Sequence, residues 1–250
     1  MPMVGGADGL GEWGVCDPAE PRNQRTRASI VVEGEDGQRL LVDAGPDLRS
    51  QLLACGIGRV EALLVTHGHA DHIMGLDEIR PLNRSLGDVI PVYTSAETLA
   101  ELRARFDYVF RPSTAPMFYR PALAPHEVMP GQVVTIAGMD VALFRQDHKV
   151  LDTLGLRIGG FGYSTDVVAL PEESLAALEG VDTWMVDCFQ RTPHSVHAHL
   201  EMVLGWVERL KPRRTVLTHM GVDMDWAWMQ AHLPAGIEAA YDGMVLDIPL

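Results

Sequence analysis

Four side chains able to bind a metal ion fall within six residues, in the run His67-Gly68-His69-Ala70-Asp71-His72. A lone histidine is more often structural than a ligand, but three imidazoles and a carboxylate in one short turn are hard to explain as packing. Residues i and i+2 of an extended segment project the same way, so His67 and His69 are placed to hold one ion. Asp71 and His72, where the chain turns into a helix, are placed to face a second. Imidazole combined with carboxylate suits Zn, Fe or Mn better than Ca or Mg.

Such a turn needs elements that deliver it. Ala62-Leu63-Leu64-Val65-Thr66 is a short continuous apolar run, the pattern of a buried strand, and it leads straight into His67. Before it, residues 28–33 and 39–43 read as strands joined by the turn-rich Gly34-Glu35-Asp36-Gly37, and 47–54 as a short helix. A helix is expected over 95–105 with Ser95 as its N-cap, and a long loop over 111–130, rich in proline and aromatics. Further strands are expected at 133–137, 141–145, 154–158, 183–186, 214–218 and, closing the chain, 245–248, with helices at 172–178 and 200–210. Hairpins early and strand–helix alternation later predict an α/β sandwich of two sheets with helices outside. Residues 1–250 are expected to form a single domain.

Bulk properties narrow the function. At 250 residues, 47% hydrophobic and 22% charged, the chain has the composition of a soluble globular protein. No apolar run reaches the roughly 18 residues of a membrane span, and the N-terminus lacks the basic and apolar regions of a secretory signal. Cys16, Cys55 and Cys188 are odd in number and form no C-x-x-C unit, so no disulfide framework is expected and a reducing cytoplasm is the default. A net charge of −14 argues against a nucleic-acid surface but not against a small anionic substrate, because bound cations reverse the local sign.

The H-x-H-x-D-H run after a strand resembles the signature of the metallo-β-lactamase superfamily. That resemblance implies a four-layer αββα sandwich and further ligands in order, and candidates stand in the expected places: His148 in Gln146-Asp147-His148, Asp166 closing Tyr163-Ser164-Thr165-Asp166, and His219 in Leu217-Thr218-His219. It implies two divalent ions, Mn or Zn, one held by His67, His69 and His148, the other by Asp71, His72 and His219, with Asp166 bridging. An anionic bridge is what two neighbouring cations need, and such a pair acidifies water and clamps both oxygens of a phosphoryl transfer.

Within the superfamily, residues 66–80 together with 191–200, 217–220, 233–234 and 241–244 resemble the branch of the phosphoribosyl cyclic phosphate phosphodiesterase. This implies a catalytic set of Asp71, Asp166 and His197, the last in His197-Ala198-His199-Leu200, protonating a departing alkoxide after attack by metal-bound hydroxide. His199, His194 and Arg80 are further candidates for substrate contact, and Tyr163, Asp187 and Cys188 for support of the site. Arg22, Arg25 and Arg27 could meet a substrate phosphate or pair with the acidic surface. His126 and His232, and the tryptophans 206, 226 and 228, read as structural.

The chain departs from the branch at two points. Only Cys16 stands near the start, and Val222 stands three residues beyond His219 where the branch has a further His, so the branch's additional structural zinc is not expected; and Met1-Pro2 falls where the loop after a first strand would end, so that strand is expected to be missing. The function implied is a binuclear hydrolase of a small or cyclic phosphodiester, with no nucleic-acid or membrane partner and a homodimer as in relatives. A glyoxalase II-type thioesterase and a tRNA-processing nuclease are the enzymatic alternatives, and a metal-binding accessory or carrier protein of cofactor biosynthesis is the non-enzymatic one.

Overall fold

The computed structural model describes residues 10–112 and 118–248, and its contacts divide the chain into two units, Arg27–Leu143 and Met1–Thr26 with Phe144–Leu250.

In the first unit, β1 (Ile30–Glu33) and β2 (Arg39–Val42) form an antiparallel hairpin across the predicted turn. The strands β3 (Ala62–Leu64), β4 (Ile90–Thr94) and β5 (Leu123–Glu127) then add in parallel, in the order β1-β2-β3-β4-β5. Parallel strands need crossovers, supplied by α1 (Leu48–Ala54), α2 (Ala70–Ile73), α3 (Ile79–Leu86) and α4 (Ala96–Phe106). Leu41, Leu63, Val65, Ile73, Ile79, Val92 and Leu102 are buried together, so helix and sheet faces share one core. Ser95 caps α4 as expected, its side chain accepting from the Thr98 N–H.

In the second sheet, β6 (Val133–Ile136) and β7 (Met139–Asp147) pair antiparallel, as do β8 (Asp152–Ile158) and β9 (Phe161–Ser164). From β9 onward the second unit is parallel: β10 (Thr183–Asp187), β11 (Arg214–Thr218) and β12 (Ile237–Ala239) follow, joined by α5 (Glu172–Leu178), α6 (Leu200–Leu210) and α7 (Trp226–His232). The sheet order is β12-β11-β10-β9-β8-β7-β6. Every residue of β10 is buried, the signature of a strand covered on both faces. Trp206, Trp226 and Trp228 pack against this unit's core.

Three expectations are corrected. The stretch read as one long loop contains β5, because Leu123 is an apolar anchor and the segment finds an open sheet edge beside β4; residues 113–117 of it lie outside the described residues. Strand 245–248 does not form: Val245 is 83% exposed with no partner strand, and the closing strand is β12. The early strands after β1–β2 run parallel, not as hairpins. The missing first strand concerns residues 1–9, which are also outside the described residues. Among the described residues no helix is long and apolar enough to cross a membrane, and the cysteines are free.

Parallel strands end side by side, so loops leaving their carboxyl ends can bring polar side chains together. Both units use this. Val42 pairs with Leu64, which sets Asp43 beside the residues leading to His67. Val186 pairs with both Ser164 and Leu217, so Asp166, Asp187 and His219 leave three adjacent strands along one rim.

The short helix α2, which carries Asp71 and His72, lies directly on the loop after β2. Ala44 N–H donates to the His72 carbonyl at 2.7 Å and Gly75 N–H to the Ala44 carbonyl at 2.8 Å. A Cβ on Gly75 would sit 1.9 Å from the Gly45 carbonyl oxygen, a backbone clash no side-chain movement can relieve. Gly75→Ala is therefore expected to lower stability by about 1–3 kcal/mol, the usual range for overpacking, read as a lower urea midpoint. An unchanged midpoint would show that this contact does not hold α2.

Candidate metal centre

Each unit carries a set of ligand-type side chains, and each set is braced by groups outside it. In the first unit, His67 and His72 are fully buried. Asp43, also fully buried, organises both. Its carboxylate accepts from Thr66 N–H at 2.8 Å, from the Thr66 hydroxyl at 2.8 Å and from His72 Nδ1–H at 2.7 Å. Because the Thr66 hydroxyl gives its proton to Asp43, its lone pair accepts from His67 Nδ1–H at 3.0 Å. Both rings thus carry their proton on Nδ1 and keep the lone pair on Nε2, the nitrogen that binds a metal. Ring centroids of His67 and His69 lie 4.6 Å apart, and those of His67 and His72 4.3 Å. Asp71 Oδ2 is 3.4 Å from His72 Nε2. From outside, α4 closes on the motif: Arg105, paired with Glu101, donates to the Gly68 carbonyl at 2.6 Å, and a Cβ on Gly68 would meet Glu101 Oε2 at 2.3 Å.

In the second unit, His148, Asp166 and His219 stand together. Asp166 Oδ2 is 3.5 Å from His148 Nε2 and Oδ1 is 3.1 Å from His219 Nε2, so its two oxygens serve two different imidazoles. His148 donates from Nδ1 to the Val196 carbonyl at 2.7 Å, which again leaves Nε2 with the lone pair. Asp166 is held by a buried network in which Gln146 donates to Thr153 and to the Thr165 carbonyl, Thr153 to the Asp166 carbonyl, and the Thr165 hydroxyl to Asp166 Oδ1. Asp43, Asp166 and His219 all adopt positive φ, at 63°, 50° and 54°. Non-glycine residues there are uncommon and mark sites where side-chain direction outweighs backbone comfort.

His197 lies beside this cluster. Its Nδ1–H donates to Asp187 Oδ2 at 2.9 Å, and its ring stacks 4.9 Å from His219. Asp187, His197 and His219 have ligand-type atoms within 4.8 Å of one another. Asp187 is fully buried; burial pushes its carboxyl above the ordinary value, opposed by the hydrogen bond from His197 and the nearby His219. Burial, and to a lesser degree Asp187, drive the Cys188 thiol pKa up. Phe189 stacks at 4.8 Å on His197 and lies 4.9 Å from His194. The donors in both units, imidazole and carboxylate with pre-oriented lone pairs, fit divalent metal ions of the Zn or Mn type.

The other sequence candidates are placed as follows. His199 stands at the N-cap position of α6 without a side-chain capping bond, Arg80 is exposed and donates to the Tyr119 carbonyl at 3.3 Å, and Tyr163 is buried in β9. His126 lies in β5, stacked on Tyr93, and His232 bonds the Trp228 carbonyl. The three arginines near the start are engaged by protein groups: Arg22 lies over Trp226, Arg27 pairs with Asp47 at 3.1 Å, and Arg25 is buried, donating to the Met224 carbonyl and Asn23. Cys16 donates to the Val222 carbonyl at 3.3 Å. Sequence reasoning missed Asp43, Thr66, Gln146, Thr153 and Arg105. Only Asp43 left a signal, as a carboxylate ending a buried strand just before Ala44-Gly45.

Asp43→Asn tests the brace, since Asn tolerates the same left-handed backbone but can accept only through one oxygen. Zinc affinity is expected to fall about 10–100-fold with the fold retained, as for other outer carboxylates on metal-bound histidines. Competition with a chromogenic chelator reads the affinity, and wild-type binding in the variant would show that Asp43 does not orient the ligands.

A family model described as "Beta-lactamase superfamily domain" matches residues 38–220. An octanoyltransferase from Porphyromonas gingivalis is 31% identical over 236 residues, 92% of this chain and 46% of that protein. A ribonuclease Z from Bradyrhizobium sp. (strain ORS 278) is 32% identical over 140 residues, 54% of this chain and 44% of that protein. The chain thus spans about half the length of these two curated relatives. A crystal structure of a diphosphatase from the PhnP family matches with a TM-score of 0.85 at 32% identity, over 94% of this chain and 92% of that one.

Proposed function

This chain belongs to the metallo-β-lactamase superfamily of hydrolases, and from that premise we propose that it is a two-metal phosphodiesterase acting on a small or cyclic phosphodiester. In this reading His67, His69 and His148 ligate one ion, Asp71, His72 and His219 the other, and Asp166 is shared. The observation that carries it is the pair of contacts from Asp166, one oxygen to His148 and one to His219, with His197 stacked against His219. The likeness to the PhnP-family diphosphatase, which spans almost the whole of both chains, supports phosphorus as the centre attacked.

When bound, a pair of divalent ions supplies Lewis acidity, acidified water and neutralisation of charge on a phosphoryl group. The side chains do the rest. Asp166 places negative charge between two imidazole sets, which offsets the repulsion of neighbouring cations. Asp71 adds a second carboxylate on the His72 side. Asp187 fixes the His197 tautomer by accepting from Nδ1, so Nε2 is the atom that takes up a proton and then passes it to the departing alkoxide. Phe189, packed on the His197 ring, limits its rotation and shields one face from water.

A nuclease gripping tRNA would need a basic surface, and a net charge of −14 weighs against one. A thioesterase is separated from the proposed activity by substrate.

Metal-loaded protein is expected to hydrolyse bis-p-nitrophenyl phosphate and not a glutathione thioester, and to lose the activity on dialysis against chelator. Turnover of the thioester alone would overturn the proposal. Asp166→Asn is expected to lower kcat at least about 10³-fold and to reduce bound metal by elemental analysis. His197→Ala should cost about 10²–10⁴ in kcat on an alkyl phosphodiester, whose leaving oxygen needs a proton, and far less on the p-nitrophenyl ester, whose leaving group departs unaided. Equal losses on the two esters would remove His197 from the acid role.

A further inference from the structure

His67, His72, His148 and His197 all donate from Nδ1 and present Nε2 without a proton when neutral. His194 is reversed. The backbone N–H groups of His197 and Val196 donate to its Nδ1, at 3.2 and 3.4 Å. A nitrogen that accepts cannot carry the proton, so neutral His194 holds it on Nε2. Burial first, and the neighbouring His197 second, push its pKa below the ordinary histidine value, so the ring is neutral around pH 7 and offers an uncharged donor. Its Nε2–H has no acceptor among the described residues.

The position of this donor gives it a task. His194 lies beside His197, ring centroids 5.2 Å apart, and both rings rest on Phe189, at 4.9 and 4.8 Å. The loop that carries them is fastened: Arg191 bonds Asp223 through its backbone N–H and its guanidinium, which also lies 4.7 Å over the Trp228 ring. A donor fixed before substrate arrives loses little entropy on binding. Charged phosphoryl oxygens belong with the metal ligands, whereas His197 marks the side from which the alcohol departs. A neutral N–H on that side suits an uncharged oxygen of the alcohol.

We propose that His194 is a specificity-determining residue, whose Nε2–H donates to a hydroxyl on the carbon next to the one bearing the departing oxygen, so that the site selects phosphoesters of polyols over those of simple alcohols. This rests on the phosphodiesterase reading, and it names the leaving-group class of that same site. A site built to bond a hydroxyl discriminates against the analogue that lacks it, because the donor is then left without a partner.

The test compares glycerol 1,2-cyclic phosphate with propane-1,2-diol cyclic phosphate, which differ by one hydroxyl. The wild-type protein, loaded with Mn, is expected to show kcat/KM about tenfold higher on the glycerol compound, the effect of one hydrogen bond. His194→Ala should bring the ratio to about one. His194→Gln, which keeps an N–H donor, should restore part of it, and this partial rescue is an outcome a merely structural role would not produce. A ratio that survives in His194→Ala, or is absent in the wild type, overturns the proposal. Calorimetry with glycerol 2-phosphate and isopropyl phosphate reads the same preference without turnover. If neither cyclic diester is cleaved but glycerol 2-phosphate binds more tightly in a His194-dependent way, the phosphodiesterase reading fails and the role of His194 stands. Equal affinities of the two monophosphates in the wild type sink the role of His194.

Discussion

The interaction on which the rest depends is the hydrogen bond at the far nitrogen of each imidazole. An imidazole can turn about two bonds and protonate at either of two atoms, and a ligand is useful only when one orientation and one tautomer are fixed. Here Thr66 fixes His67, Asp43 fixes His72, the Val196 carbonyl fixes His148 and Asp187 fixes His197. Each of these partners sits at or just beyond the carboxyl end of a strand, or on a loop that such a strand holds in place. The sheets therefore serve less as walls than as rulers, since parallel register decides which carboxylate meets which ring.

That ordering has a cost, and the structure shows where it falls. Three of the polar residues at strand ends adopt left-handed backbone conformations, each of order 1–3 kcal/mol in general and less for aspartate, whose short side chain tolerates them. The cost is offset by burial of the strands that precede them: β9 is wholly buried and β2 and β11 are buried except at their ends, and their side chains hold the backbone against relaxation. Buried Gln146, Thr153 and Thr165 add fixed hydrogen bonds around Asp166, where the backbone could otherwise swing the carboxylate away.

Much of this was legible from sequence, for identifiable reasons. The helices at 172–178 and 200–210 and the strand at 214–218 were readable because their periodicity and boundaries agree. The grouping of His67, His69, Asp71 and His72 was readable because metal-binding residue types are rare at such short spacing. What stayed hidden depended on register or on partners distant in sequence. Asp43 and Thr66 become a brace only when β2 and β3 pair in parallel, and nothing local announces that pairing. Strand β5 was obscured by prolines on either side and needed the open edge of β4 to form. The opposite tautomer of His194 follows from two backbone N–H groups and has no sequence signature at all.

The loop from Phe189 to His199 carries both the proposed proton donor and the proposed reader of the alcohol, and at Arg191 it is pinned by the Asp223 carboxylate. None of the strand-end carboxylates belongs to it. A lineage could therefore exchange the imidazoles of this stretch while keeping the strand-end carboxylates, provided that the Val196 carbonyl still meets His148. Diversity of chemistry among proteins sharing such a scaffold then needs no new fold, only an exchange of polar side chains along one segment whose backbone stays tied to its neighbours.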